Sequence, residues 1–211
     1  MRTVPTRRRL AGVAATATAA VVLLAGCGDD STPTTSGQDN GQPTPTASVA
    51  PGMEHNEADI TFAQGMIPHH QQAIAMADLA TTRAATPRVK DLAAKIKAAQ
   101  GPEIEEMTNW LTDWGATVPP SGMPGHDMGS GATAMPGMMS DQDMTALDTA
   151  TGAAFDRMFL QMMIIHHQGA VQMAQTEQQQ GRNPGAKALA QQIETDQNAE
   201  IQQMQTMLGT L

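Results

Sequence analysis

The sequence predicts an all-α protein, an antiparallel four-helix bundle built from two repeated helical hairpins. Three observations carry that prediction. Residues 59–77 (DITFAQGMIPHHQQAIAMA) recur at a fixed offset of 97 as residues 156–174 (DRMFLQMMIIHHQGAVQMA), so one unit is written twice. Within each copy the apolar residues return every three or four positions, the period of one helix face. Strand signals, short alternating runs rich in β-branched and aromatic residues, do not occur.

The offset pairs Asp59 with Asp156, Phe62 with Phe159, Met66 with Met163, His69-His70-Gln71 with His166-His167-Gln168, and Met76 with Met173. It continues without a gap through Pro87/Pro184, Leu92/Leu189, Ile96/Ile193, Glu103/Glu200, Ile104/Ile201, Met107/Met204 and Leu111/Leu208. The first helix of a unit carries Phe62, Met66, His69, Ala73 and Met76 on one face. Pro68 lies inside it and removes a backbone hydrogen bond; the resulting bend is either merely tolerated or aims His69 and His70. The second helix is expected to open at Thr86-Pro87, a capping residue followed by proline at the first helical position, and Asn183-Pro184 repeats the signal. It carries Val89, Leu92, Ile96, Ile104, Met107 and Leu111. The units are therefore expected at 56–115 and 153–211. Residues 119–143 between them, rich in Gly, Pro and Ser, are expected to be a Met-rich loop.

Residues 1–26 read as a targeting signal: Arg2, Arg7, Arg8 and Arg9 precede an apolar stretch that closes on Leu24-Ala25-Gly26-Cys27. That stretch is short for a membrane span, and its last four residues have the pattern of a bacterial lipoprotein signal, with Cys27 as the lipidated residue. The expected location is the outer side of a bacterial membrane, held by that lipid. Cys27 is the only cysteine, which excludes a disulfide framework and a thiolate metal site. Residues 27–52 have almost no large apolar side chain and read as a disordered tether. Residues 53–211 are then the bundle domain. After removal of the signal, eight basic side chains against 21 acidic ones leave a formal charge of −13. With no basic patch to neutralise phosphates, nucleic acid is excluded as a partner.

The residues that carry chemistry are imidazoles and thioethers. Adjacent helical residues point about 100° apart, so the members of each His-His pair face different directions. Met66 lies three and four residues from His69 and His70, and Met163 stands likewise to His166 and His167, within reach along a helix. Facing motif helices would gather His69, His70, His166 and His167 with Met66, Met76, Met163 and Met173. Imidazole with thioether suits copper(I) or silver(I), and with more nitrogen copper(II). In the loop, Met123, His126 and Met128 form a second candidate set, among further methionines at 135, 138 and 139 that no core explains. Met53 and His55 are candidates to close over the bundle end. Methionine at helical spacing is also ordinary core filling, and in a chain with three Phe, two Trp and no Tyr that is the reading for Met158, Met204 and Met207. No Glu-x-x-His supports a di-iron oxidase, no His-Glu-x-x-His a zinc hydrolase, and no cysteine pair a haem. No catalytic triad is evident, so the chain is not expected to be an enzyme.

The paired motif F-x-x-x-M-I-x-H-H-Q-x-A-[IV]-x-M-A, here Phe62–Ala77 and Phe159–Ala174, resembles that of the domain of unknown function 305 family, over residues 54–210 or so. The resemblance implies a ferritin-like four-helix fold and export, and some members are associated with copper binding and copper resistance. The expectation is a surface lipoprotein that sequesters copper or hands it to another copper-handling protein. The alternative is a non-catalytic envelope scaffold with a Met-rich core and no metal.

Overall fold

The computed structural model describes residues 54–120 and 135–211. Its helices are α1 (Glu57–Arg83), α2 (Pro87–Asp113), α3 (Asp141–Thr149), α4 (Gly152–Gln180) and α5 (Pro184–Leu208). Among the described residues there is no strand, only an isolated bridge between Ala84 and Gly152, and no helix long and apolar enough to cross a membrane. The helices α1 and α2 form one hairpin and α4 and α5 the other, and the hairpins meet chiefly through α1 and α4. This is the expected four-helix bundle, with α3 as a short addition.

Two aspartates lock the hairpins together. Asp59 sits in the first turn of α1, where it completes a capping box with Asn56. Its carboxylate also accepts the backbone N–H groups of Arg182 at 3.1 Å and Asn183 at 2.8 Å, in the turn between α4 and α5. Its repeat-mate Asp156, in α4, accepts from Ala85 at 3.0 Å and Thr86 at 2.9 Å, in the turn between α1 and α2. Each hairpin's first helix thus clamps the other hairpin's turn, which fixes α1 and α4 antiparallel. Both carboxylates are fully buried, where charge-assisted hydrogen bonds contribute about 1.5–3 kcal/mol each.

The core is divided. One cluster joins Ala73, Met76, Ala77 and Ala80 of α1 to Phe155, Phe159, Leu160 and Met163 of α4, with Leu147 of α3 and Met204 and Met207 of α5. The other joins Phe62, Ala63, Met66 and Ile67 of α1 to Ala170 and Ala174 of α4, with Met107, Leu111 and Ile193. Residues 69, 70, 166 and 167 fall between these sets. Met204 and Met207 are core as expected, and Met158 packs against it, half-buried.

The structure corrects two expectations. The loop expected to run to residue 143 ends earlier. Ser140 caps α3 in a capping box with Asp143, and fully buried Leu147 pins that helix to the core. Residues 135–140 ahead of it lie on the bundle, and Met135, Met138 and Met139 are half-buried there, with Met139 against the core. Thr86 occupies the capping position of α2, but its side chain makes no capping bond; Asp156 takes its backbone N–H instead. Pro68 lies inside an unbroken α1, and Pro102 sits equally inside α2. Their repeat-mates are Ile165 and Ala199. Cys27, Met53, Met123, His126 and Met128 lie outside the described residues, as do the expected signal and tether.

Candidate metal centre

Where α1 crosses α4, four imidazoles form a layer between the two core clusters, and all four are fully buried. The rings of His69 and His166 meet across the crossing with centroids 3.8 Å apart. His166 and His167 lie 6.4 Å apart. On the outer flanks, His70 Nε2 is 2.7 Å from Glu103 Oε2 of α2, and His167 Nε2 is 2.7 Å from Glu200 Oε2 of α5. These contacts are related by the offset of 97, so the two hairpins build the same arrangement independently. His69 Nε2 lies 3.1 Å from the carbonyl oxygen of Pro136.

The partners assign the protons. A carbonyl or carboxylate oxygen only accepts, so Nε2 carries a hydrogen in His69, His70 and His167, and in a neutral ring Nδ1 is then the bare lone pair. All three Nδ1 atoms are buried with no hydrogen-bond partner, and in His166 neither ring nitrogen has one. Burial, reinforced by the neighbouring His70, pulls His69 down to about 3 against the weaker opposite pull of the Pro136 carbonyl. Burial and the repulsion of His69, His167 and His70 hold His166 well below the usual histidine range. His69 and His166 are therefore neutral at physiological pH, which is the state in which imidazole binds a metal.

Residues 135–139 strap this layer. The Gln72 side chain accepts the Met139 N–H at 2.8 Å and donates to the Met139 carbonyl at 2.9 Å. Gly137 has φ +77, and it rests against the backbone of Ile165, His166 and Gly169. Gly169 has no room for a side chain, since a Cβ there would lie 1.9 Å from the Pro136 oxygen.

Of the sequence-expected ligands, His69, His70, His166 and His167 come together, with fully buried Met66 and Met163 one turn away on either side. Met76 is fully buried six residues beyond His70, about 9 Å along the helix, and Met173 is half-buried at the same remove from His167. His55 stacks on Trp114 with centroids 4.8 Å apart. Among the described residues no three His, Cys, Asp or Glu side chains are already arranged to hold an ion. Glu103, Glu200, Gln72 and Pro136 were not foreseen as parts of the site. The two glutamates were visible as a matched pair in the repeat, but nothing in the spacing said which helix face they share with the histidines.

A duplicated helical bundle with a buried, partly unpartnered imidazole layer at its pseudo-twofold centre defines the class of protein. The family described as domain of unknown function (DUF305) matches residues 59–208, and the chain belongs to it. Among solved structures, a DUF305 fragment from Deinococcus radiodurans is 33% identical with a TM-score of 0.64, covering 74% of this chain and 98% of that one. A DUF305 protein from Streptomyces coelicolor, described as secreted, is 34% identical with a TM-score of 0.64, covering 72% and 93%. CopM in its Cu(I)-bound form is 37% identical with a TM-score of 0.59, covering 72% and 96%, and CopM is also known with Cu(II) and with silver bound. An uncharacterised protein of Acanthamoeba polyphaga mimivirus, L153, is 42% identical over 55 residues. That match spans 36% of the viral protein's length and 26% of this chain.

Proposed function

We propose that this chain binds copper without catalysing a reaction, on the outer side of a bacterial membrane, and either sequesters it or passes it to another copper-handling protein. The observation that carries the reading is the buried, unpartnered Nδ1 of His70 and His167, each ring fixed from behind by a glutamate. A buried ring nitrogen left without a partner costs about 1–3 kcal/mol, and binding to a Lewis acid removes that cost. A carboxylate on the far nitrogen is the arrangement that orients a metal-bound histidine and raises its basicity. Copper(I) is the favoured ion because Met66 and Met163 add soft thioethers; copper(II) would rest on the imidazoles, and silver(I) would mimic copper(I). The metal-bound forms of CopM and the description of the Streptomyces relative as secreted support the reading. Lipid attachment at Cys27 completes it, with the loop residues Met123, His126 and Met128 as an outer ligand set.

The test is a copper(I) competition titration against a coloured chelator, with the full chain and a variant in which all four paired histidines are Ala. Tight binding by the first, weakened at least about tenfold in the second, is the expected result. Equal affinity would move the site out of the helices. No binding by either would favour the metal-free scaffold, a reading encouraged by the lack of a ready three-ligand group among the described residues. A scaffold would also melt at the same temperature with and without copper, whereas a binder gains stability by mass action.

A further inference from the structure

The duplication is imperfect at one surface. Position 162 of the second hairpin is Met, but its repeat-mate is Gly65, which leaves a notch on α1. Two sulphur atoms from elsewhere turn into that notch. Met135 Sδ, at the start of the strap, and Met173 Sδ, on α4, each lie 3.7 Å from where a Cβ of residue 65 would stand. They are therefore no more than twice that distance apart. Met173's own repeat-mate, Met76, is wholly buried as core, whereas Met173 is half-buried and reachable. Gly65 lies one helical turn before His69 on the same face, and His69 is bonded to Pro136, the neighbour of Met135. Met173 also lines a groove of about 340 Å³ between α1 and α4, whose walls include Glu57 and Glu177.

We infer that Met135 and Met173 form a second, asymmetric site for a soft monovalent cation, copper(I) or silver(I), at the outer edge of the imidazole layer. This inference rests on the copper reading and extends it. Two thioethers suit a soft ion and are poor ligands for a hard one, and they need no deprotonation to bind. The strap sets Met135 in place, because Gln72 holds Met139, and Gly137 is seated against Gly169. An ion held by the two sulphurs at Gly65 would stand about one helical turn from His69, so the pair supplies a step between solvent and the buried nitrogens.

The test uses silver(I), which is redox-silent, added in sub-stoichiometric steps to the full chain labelled with ¹³C at the methionine methyl groups. Four proteins are compared: wild type, Met135→Leu/Met173→Leu, Gly65→Met (which fills the notch as Met162 does in the other hairpin), and the variant with all four paired histidines replaced by Ala. Leucine conserves volume, so the fold is retained. In wild type the Met135 and Met173 methyl signals are expected to shift, and the double-leucine variant should lose one equivalent of silver or bind it at least about tenfold more weakly. Gly65→Met should do the same, while the histidine variant keeps the Met135 and Met173 shifts. If wild type binds silver but those two methyl signals stay still and neither methionine-site variant changes the titration, this site is refuted and the copper reading stands. If wild type binds no silver at all, both fall.

Discussion

Glu177 offers the sharpest test of the packing. Its repeat-mate is Ala80, so the second hairpin places a carboxyl where the first has a methyl group. Glu177 is only 1% exposed, and neither of its oxygens receives a hydrogen bond. Burial and the adjacent Asp59 push it up from 4.5 to about 8, against a weaker opposite pull from Lys187. At neutral pH it is therefore protonated and donates to Asp59. Burial works against the charge on Asp59, but that hydrogen bond and the N–H groups of Asn183, Asn56 and Arg182 outweigh it and hold the carboxyl below its usual value.

Below pH 4.5 Glu177 is protonated in both the folded and unfolded chains and has no pH effect. Between pH 4.5 and about 8 the unfolded chain releases the proton while the folded one keeps it, so stability falls by up to about 1.4 kcal/mol per pH unit. At pH 7.5 the full shift amounts to about 4 kcal/mol, and dielectric relaxation beside the groove brings the expectation to about 2–4 kcal/mol. Asp59 acts in a separate window, because its lowered value costs stability only when the pH falls below about 4. Glu177→Gln keeps the shape and still donates to Asp59. Urea unfolding followed by circular dichroism should show the variant matching wild type near pH 4.5 and exceeding it by about 2–4 kcal/mol at pH 7.5. In melting temperature that is a gain of roughly 5–15 °C. A variant that tracks wild type at every pH, or gains equally at pH 4.5 and 7.5, would refute the account.

Three further outcomes are expected. Asp156→Ala strands the N–H groups of Ala85 and Thr86 and should cost about 3–5 kcal/mol in urea unfolding; a loss under 1 kcal/mol would mean the clamp adds little. Gly169→Ala drives a Cβ into Pro136, so amide exchange at Met139 should speed up at least about tenfold while the α2 and α5 amides keep their protection. Unchanged exchange at Met139 would show that the strap does not rest on this contact. Leu147→Ala removes the one fully buried side chain of α3 and should cost about 2–4 kcal/mol, read as a drop in the urea midpoint, with a shift near zero arguing that α3 is not anchored.

The bundle was legible because its determinants are local or repeated: the three-and-four spacing around Phe62 and Phe159, the Pro87 and Pro184 starts, and the offset of 97. The histidine pairs were equally visible, and the structure gathers them. What the sequence hid depends on contacts between distant segments. Glu103 and Glu200 stand 33 residues from their histidines, and spacing does not tell which of several acidic side chains on the second helix faces inward. Asp59 and Asp156 were seen only as matched letters, since their partners lie in the opposite hairpin. The strap was masked by composition. Met-Pro-Gly-Met-Met reads as loop, and it is loop, but Gly137 fits against Gly169, and that fit cannot be inferred from either glycine alone. The start of α3 was readable in Ser140 and Asp143 and was outweighed by the Gly and Pro before it.

The reciprocal grip of Asp59 and Asp156 bears on how the halves are kept together. Each aspartate holds a turn belonging to the other hairpin, so the peptide link between residues 120 and 135 is not what joins them. A protease cut there should leave two fragments that still co-purify. The same geometry would let two identical hairpins clasp each other as a homodimer, in which every feature would come in pairs. Carried on one chain, each half can differ alone. Glu177, the strap over one side of the imidazole layer and the Gly65 notch are all departures that a symmetric dimer could not have made singly.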